Sequence, residues 1–262
     1  MSVVILSNEM VHYEVLGRGR PILFLHGWVG SWRYWIPSMQ GVAINSRAYA
    51  LDFWGFGDSA KAQARYTLDE QVSLISQFVE QMGIMRMAVV GHGLGAVVGM
   101  LYATRYPEVV DRLLAITIPM SETTISPRFR SNSPAELADW LLTRLPATEP
   151  ARTDAPKCDA RAIQASLESL QSMGIHDLIN ALPTACLMVH GQNDPAVQPP
   201  ALDDLAALPE HTHSVLFDQS GHFPMLDETN KFNRLMVDFF ALPSGENPRQ
   251  LQLKEEWKRR VR

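Results

Sequence analysis

The stretch Met87-Ala88-Val89-Val90-Gly91-His92-Gly93-Leu94-Gly95-Ala96 decides the fold of this chain. Its first four residues form an apolar run that is typical of a buried strand, and a glycine-rich turn follows directly. The turn is similar to the pattern G-x-S-x-G, in which a sharp strand-to-helix connection exposes a serine side chain at the end of a sheet. Gly93 stands at the position of that serine. The sequence therefore predicts the turn without the hydroxyl group that would attack a substrate.

Strand and helix patterns alternate along most of the chain. A capping pair, Thr67 and Glu70, begins a helical pattern that ends at Gly83, and a second helix is predicted over 96–106. The first three strands look like an antiparallel entry to a sheet, and the later alternation of strand and helix indicates a parallel sheet wrapped by helices. The fold class is therefore α/β. Strands are predicted at 3–6, 11–16, 22–25, 48–51, 86–90, 113–118, 185–189 and 214–217.

The alternation breaks between residues 121 and 183, where prolines and polar clusters surround two helical stretches at about 135–144 and 160–170. Because strands resume at 185, this segment is predicted to be a helical cap inserted late into the sheet of one domain, formed by residues 1–120 and 184–243. A long surface loop with incidental helices is the alternative. Residues 244–262 form a charged tail with a helical pattern from 250 to 260.

Composition excludes several classes of function. The 262 residues carry a formal net charge of −5 and include 46% hydrophobic residues, so the chain can form a large core but offers no basic surface for nucleic acid. No apolar stretch is long enough for a transmembrane helix, and the N-terminus lacks the basic start of a signal peptide. The two cysteines, Cys158 and Cys186, have no metal-ligand spacing. We expect a cytoplasmic protein.

Four further segments follow predicted strands directly. They are His26-Gly27-Trp28, the run from Asp52 to Ser59, Asp194 in Gly191-Gln192-Asn193-Asp194, and His222 in Ser220-Gly221-His222. Functional groups of an open α/β sheet collect at the carboxyl ends of its strands, so these segments are expected to share one crevice with the turn at Gly93.

Their order along the chain, with the turn first, then Asp194, then His222, is that of the catalytic triad in α/β-hydrolases. The chain resembles the α/β-hydrolase-fold family, of the capped, esterase-like kind. The matching motifs are the His-Gly turn, D-x-W-G-F-G-D-S, G-H-x-L-G, G-x-x-D and S-G-H, and together they span most of residues 1–240. Each motif alone is weak, but five in the expected order are difficult to obtain by chance.

The resemblance implies a role for each matching residue. Asp194 corresponds to the acid that orients the base, and His222 to the general base. The backbone N–H groups of Trp28 and Leu94 correspond to the oxyanion hole. Gly93 matches the position of the nucleophile but not its chemistry.

Two tryptophans and one glutamate are further candidates for the site. Trp54, and Trp140 in the first cap helix, suggest a pocket for an apolar acyl or aryl group, although tryptophans are equally common as core residues. Glu122 also follows a strand and is an alternative acid. No cofactor and no metal is implied.

Three functions remain open at this stage. The first is an ester hydrolase in which the nucleophile is deleted, naturally or by engineering, so that the chain binds a small apolar ester but hardly hydrolyses it. In the second, His222 and Asp194 activate water or abstract a proton without a covalent step, as in the cofactor-free lyases and oxygenases of this fold. The third is a binding protein that uses the crevice under the cap for a ligand.

A dinucleotide-binding loop is a fourth possibility, because Gly91, Gly93 and Ala96 also satisfy G-x-G-x-x-A. That fingerprint expects an acidic residue at the end of the next strand, where Pro119 and Met120 stand. It also belongs on the first strand of its unit, whereas this turn follows about the fifth. Nucleotide binding is therefore disfavoured.

Overall fold

One eight-stranded sheet organises the molecule in the computed structural model, which describes residues 2–243 and 246–251. The strand order is β1-β2-β4-β3-β5-β6-β7-β8. The strands are β1 (Ser2–Leu6), β2 (Glu9–Gly17), β3 (Arg20–Leu25), β4 (Ser46–Leu51), β5 (Met87–His92), β6 (Val110–Ile116), β7 (Ala185–Gly191) and β8 (Thr212–Phe217).

The sheet is antiparallel at one edge only. β2 pairs antiparallel with both β1 and β4, and every other neighbouring pair is parallel. The prediction that β3 belongs to the antiparallel entry was wrong, because β3 is parallel to β4 and to β5. The chain leaves β3 through a helical connection before it enters β4, and such a crossover joins parallel neighbours. β4 thereby separates β3 from β2.

The described residues contain eleven α-helices. They are α1 (Ile36–Val42), α2 (Leu68–Gln81), α3 (Leu94–Arg105), α4 (Arg128–Ser131), α5 (Pro134–Leu141), α6 (Glu149–Asp154), α7 (Ala160–Gln171), α8 (Ile175–Ala181), α9 (Leu202–Ala206), α10 (Pro224–Asp227) and α11 (Thr229–Ala241). Five of them, α4 to α8, form the connection between β6 and β7.

The helix that follows the glycine turn, α3, lies deep in the structure. Its first ten residues are buried, and it packs against β5 and β6. A Cβ atom on Gly95 would overlap the carbonyl oxygen of Leu25, so glycine is required where helix and strand approach this closely. This close packing places the turn at the carboxyl end of β5, in the middle of the sheet.

The connection between β6 and β7 is helical and contains α4 to α8. We call residues 117–184 the helical insertion. Sequence analysis located α5 and α7 but not α4, α6 and α8, which are only four, six and seven residues long. The division into a core and a cap, with boundaries at 120, 121, 183 and 184, stays a proposal.

Two further predictions concern the tail and the membrane. Most of the tail predicted at 244–262 lies outside the described residues; 246–251 are described and hold a short 3-10 turn, Pro248–Gln250. None of the described helices is both long and apolar enough to cross a membrane.

Candidate active site

Gly93 has a backbone conformation that side-chain-bearing residues rarely adopt. Its φ is 50° and its ψ is −109°, and it directly precedes the first residue of α3. Its N–H donates to the carbonyl of Ile116 in the neighbouring strand, over 2.9 Å. A non-glycine residue held in such a conformation costs about 1–3 kcal/mol. Glycine adopts this conformation without that cost, so the backbone has the geometry of a nucleophile elbow while the residue carries no side chain.

His222 and Asp194 form a buried pair. The Nδ1 atom of His222 lies 2.9 Å from Oδ2 and 3.2 Å from Oδ1 of Asp194. Asp194 Oδ1 also accepts the N–H groups of Ala196 and Val197, over 2.7 and 3.1 Å, and these bonds hold the carboxylate toward the ring. Nδ1–H is therefore the donor to the carboxylate, which leaves the lone pair of the neutral ring on Nε2.

That Nε2 atom is buried and has no hydrogen-bond partner within the described part of the chain. A buried nitrogen without a partner costs about 1–3 kcal/mol. Orphaned polar atoms of this kind occur at sites that bind or transfer a proton. The base is therefore oriented and has an unused acceptor.

His92, the second residue of the turn, connects the elbow to the loop of the base. Its ring centroid lies 4.8 Å from that of His222, and its Nε2–H donates to the His222 carbonyl over 2.8 Å. Its Nδ1 accepts from the Tyr34 hydroxyl over 3.0 Å, and that hydroxyl accepts the Gly27 N–H over 2.5 Å. Burial holds the pKa of His92 well below its ordinary value, so the ring is neutral.

This hydrogen-bonded chain joins the elbow, the base loop and the His-Gly turn. Sequence reasoning had quoted His92 without giving it a role, and it missed Tyr34. A tyrosine between two tryptophans gives no signal that distinguishes a hydrogen-bonding residue from an ordinary core aromatic.

The predicted oxyanion donors lie on either side of the elbow. Leu94 is the first residue of α3, and Trp28 follows Gly27, whose Cα atom would be 3.7 Å from a Cβ placed on Gly93. Among the described residues, neither N–H has an acceptor. An oxyanion hole needs unused donors of this kind, so the oxyanion role of both N–H groups stays a prediction.

The Trp28 side chain lies over the elbow. A Cβ atom on Gly93 would lie 3.1 Å from Cε3 and 3.2 Å from Cζ3 of the indole, so a larger residue at position 93 requires the ring to shift by a few tenths of an ångström. The indole Nε1–H donates to Ser166 Oγ in α7 over 2.9 Å. Phe129 of α4 lies 5.4 Å from the Trp28 ring and 5.9 Å from the His222 ring. The helical insertion thus contributes two of the groups around the elbow.

The two predicted pocket tryptophans differ in burial. Trp54 is fully buried, and its backbone is hydrogen-bonded to Gln71. Trp140 is half-buried and contacts Phe129, with centroids 6.5 Å apart. A pocket role for either tryptophan stays a proposal.

Glu122 does not take the place of the acid. Its carboxylate accepts from Arg130 over 2.7 Å and from Gln171 over 2.6 Å. The carboxylate that contacts His222 is that of Asp194.

A cluster of His12, Asp52 and Asp58 lies beside the His-Gly turn, where Oδ1 of Asp52 is 3.9 Å from Nε2 of His26. Asp52 accepts the N–H groups of Trp32 and Asp58, each over 2.9 Å, and contacts Nδ1 of His12 at 3.1 Å. Although burial lowers the pKa of His12, the hydrogen bond and charge of Asp52 raise it overall. His12, Asp52 and Asp58 place donor atoms within 4.8 Å of one another, as a metal site would. Asp58, however, is paired with Lys157 at 2.9 Å, so the cluster is already neutralised by protein cations.

The sheet order, the elbow and the acid–base pair define an α/β-hydrolase, and the comparison with protein families agrees. The model of the alpha/beta hydrolase family matches residues 22–235, and the chain belongs to this family.

Individual relatives are distant. A pimeloyl-(acyl-carrier protein) methyl ester esterase from Vibrio cholerae is 23% identical over 260 residues, which cover 87% of this chain and 97% of the relative. The enol-lactonase from Burkholderia xenovorans superposes with a TM-score of 0.80 at 18% identity, covering 92% of this chain and all of that one. A serine-to-glycine mutant of the N-acyl homoserine lactonase AidH, complexed with N-hexanoyl homoserine lactone, has a TM-score of 0.77 at 19% identity, covering 91% and 96%. These structural likenesses concern the fold.

Proposed function

We propose that this chain is an esterase scaffold that binds a small apolar ester at the carboxyl edge of its sheet and hydrolyses it very poorly. His222 and Asp194 take the roles of base and acid, the N–H groups of Trp28 and Leu94 form the oxyanion hole, and Gly93 replaces the nucleophilic serine. One observation carries the proposal: a buried histidine is oriented by a carboxylate, has an unused Nε2, and is connected through His92 to a turn whose positive φ is occupied by a glycine without a side chain.

In a serine esterase, the base removes the proton of the serine hydroxyl as the oxygen attacks the ester carbonyl, and the oxyanion hole binds the resulting negative charge. With Gly93 this first step has no attacking atom. In a serine protease of another fold, loss of the serine reduces turnover by about 10⁶, and about 10³–10⁴ over water remains from binding and the oxyanion hole. Under this proposal the chain keeps the contributions of substrate binding and of the oxyanion hole.

The surroundings of the elbow support an apolar substrate. Trp28 and Phe129 are both buried there, and Trp140 packs behind Phe129. We propose that residues 121–183 act as the cap of this site, because α4 and α7 contribute Phe129 and Ser166. Ligands of relatives of this fold include a lactone, which is a cyclic ester. A cytoplasmic location is also part of the proposal, and the free thiols of Cys158 and Cys186 support it.

The test is to introduce the missing hydroxyl. Gly93→Ser should increase the turnover of p-nitrophenyl butyrate by about 10³-fold or more, because covalent catalysis becomes available. Gly93→Ala is the matched control, since it adds the same Cβ without the oxygen, and it should not exceed the unmodified chain. Because the new Cβ crowds the indole, the same pair is also measured with Trp28→Leu. Folded serine variants that show no gain in either background would contradict the proposal.

Non-covalent use of the same pair is the second candidate. It is favoured by the presence of an oriented base, since His222 donates its Nδ1–H to the carboxylate of Asp194 although no serine is present. His222 would then remove a proton from water or directly from a substrate. Turnover by the unmodified chain that His222→Ala abolishes, and that Gly93→Ser does not increase, would establish this function. Tight ligand binding without turnover in any variant would indicate a binding protein.

A further inference from the structure

A cavity of about 350 Å³ lies at the amino ends of the parallel strands, opposite the carboxyl ends where the elbow lies. Arg20 and Ser46 are the first residues of β3 and β4, and Met87 is the first of β5. β3 has six residues, so about 17–20 Å separates its two ends. The cavity is therefore independent of the elbow site. Its lining consists of Arg20, Pro21, Ile22, Ser46, Arg86, Met87, Ala88, Asp111, Arg112 and Phe240.

Positive charge dominates the polar part of this lining. Three arginines and one aspartate line the cavity, and Arg86 is ion-paired with Asp111. Glu246 also attracts Arg112 but is not part of the lining. Within the described ranges, these five groups carry three positive charges against two negative ones when all are ionised. A single negative charge on a ligand would neutralise it.

Arg112 is the unusual member of the group, because its side chain is only 2% exposed. Its Nη2 donates to the carbonyl of Leu242 over 2.7 Å and to that of Pro243. Its Nη1 is buried and has no acceptor in the part of the chain that the structure describes. Burial lowers the pKa of this guanidinium, and the nearby Arg20 and Arg86 lower it further. A buried guanidinium nitrogen without an acceptor is costly, and an anionic oxygen is its preferred partner.

The rest of the lining is apolar. Pro21, Ile22, Met87, Ala88 and Phe240 face the same space as the arginines. The volume lies at the lower end of the range found for small-molecule sites, which combine apolar walls with a few polar groups. A bare inorganic anion would leave these walls without contacts.

We infer that this cavity is a second binding site, which takes a small organic monoanion: a carboxylate with a short aliphatic body. The carboxylate contacts the exposed Arg20, and the buried guanidinium of Arg112 attracts it through its positive charge. The aliphatic part packs on Ile22, Met87 and Phe240. This inference concerns the amino ends of the strands, which are remote from Gly93, and it does not depend on the proposed esterase function.

The test uses the full chain, sodium hexanoate as the probe, and methyl NMR together with calorimetry. Hexanoate should shift the methyl signals of Ile22 and Met87 in the cavity but not that of Ile118, which lies beyond β6 at the elbow side. Hexan-1-ol, which lacks the charge, and inorganic phosphate, which lacks the aliphatic body, should each bind at least about tenfold more weakly, since charge-assisted and apolar contacts each contribute.

The variants are chosen to separate the site from general charge. Arg20→Gln should weaken hexanoate binding about tenfold, and Arg112→Gln should also weaken it because the buried positive charge is lost. Arg105→Gln, which removes an exposed arginine paired with Asp69, is the matched control and should bind as the unmodified chain does. Equal affinities for Arg20→Gln and Arg105→Gln would overturn the inference. So would phosphate binding as tight as that of hexanoate, or a shift of Ile118 in place of Ile22 and Met87.

Discussion

The two halves of the elbow site differ in how much of their chemistry is present. On the side of the base, the carboxylate of Asp194 holds Nδ1 of His222 at 2.9 Å and is itself held by two backbone N–H groups. On the side of Gly93, the backbone turns sharply from β5 into α3 with a positive φ, and the residue has no side chain. The difference teaches that the sharp turn at Gly93 and the orientation of His222 are built by separate sets of contacts.

The physical reason is that different interactions build the two halves. The elbow is formed by the close approach of β5 and α3, where glycines allow helix and strand to pack. The base is positioned by loop hydrogen bonds that involve no atom of residue 93. One half can therefore change without disturbing the other, and the predictions below test how far this independence extends.

The largest expected effect joins the two halves again. In the Gly93→Ser background, His222→Ala should remove the restored ester hydrolysis and return turnover to that of the unmodified chain, a loss of about 10³-fold or more. The reason is that a serine hydroxyl is a weak nucleophile without its base. The measurement is steady-state hydrolysis of p-nitrophenyl butyrate, with circular dichroism to verify folding. A serine variant that keeps its activity without His222 would show that the two halves do not cooperate.

The second prediction measures the cost of a side chain at the elbow. Gly93→Ala should lower the free energy of unfolding by about 1–3 kcal/mol, because its φ is positive and its Cβ contacts the indole of Trp28. Gly83→Ala is the matched control, since φ is +64° there and nothing lies within 4 Å of the added Cβ. Urea denaturation should show the larger loss for Gly93→Ala. Equal losses would mean that Trp28 moves aside freely.

The third prediction concerns Tyr34, which connects the two halves through His92. Tyr34→Phe removes the acceptor of the Gly27 N–H and the donor to His92, and should destabilise the protein by about 1–3 kcal/mol. Tyr106→Phe, at a half-buried tyrosine outside the site, should change stability much less. The Gly27 amide signal in NMR would also move upfield when its hydrogen bond is lost. An unchanged amide would exclude this bond in solution.

The smallest expected effect is on pH dependence. The pKa of His92 is well below the ordinary value of 6.5 in the folded protein, so below pH 6.5 the unfolded chain binds the extra proton. Its contribution to stability is complete above about pH 6.5 and is lost as the pH falls toward the folded pKa, by about 1.4 kcal/mol per pH unit. Burial also lowers the pKa of His26 and of His190, so these residues change the stability with pH in the same direction as His92. The pKa of His12 is raised, so His12 changes it in the opposite direction.

Urea denaturation at several pH values between 7.5 and 5 tests this. His92→Gln should reduce the slope of stability against pH by about one proton. His176→Gln, at a histidine on the surface, is the matched control and should change the slope less. Identical slopes for the two variants would contradict a neutral, buried His92.

Sequence reasoning located the parts of the molecule that depend on local pattern. The apolar run before Gly91 predicted β5, and the capping pair Thr67 and Glu70 predicted α2, because period and capping are properties of neighbouring residues. The chain order of Gly93, Asp194 and His222 predicted the family, which the comparison confirmed.

Long-range pairing was not predictable in the same way. The parallel placement of β3 beside β4 depends on the crossover between them, and nothing within β3 itself specifies it. The roles of Tyr34 and His92 arise from contacts between three segments that are distant along the chain, around Gly27 to Tyr34, at His92 and at His222. The position of the Trp28 indole over Gly93 depends on Ser166, 138 residues further along the chain.

The hydrogen bond between Trp28 and Ser166 has a consequence for the order of folding. Bringing together groups so far apart along the chain costs loop-closure entropy before any contact compensates for it. Contacts of this separation slow folding, and short helices on the surface of a domain open more easily than its central strands. The sheet should therefore form first and the surroundings of the elbow last. In a variant whose other five tryptophans are replaced by phenylalanine, Trp28 should report completed folding, since its fluorescence should reach the native value after the far-ultraviolet signal of the sheet and helices.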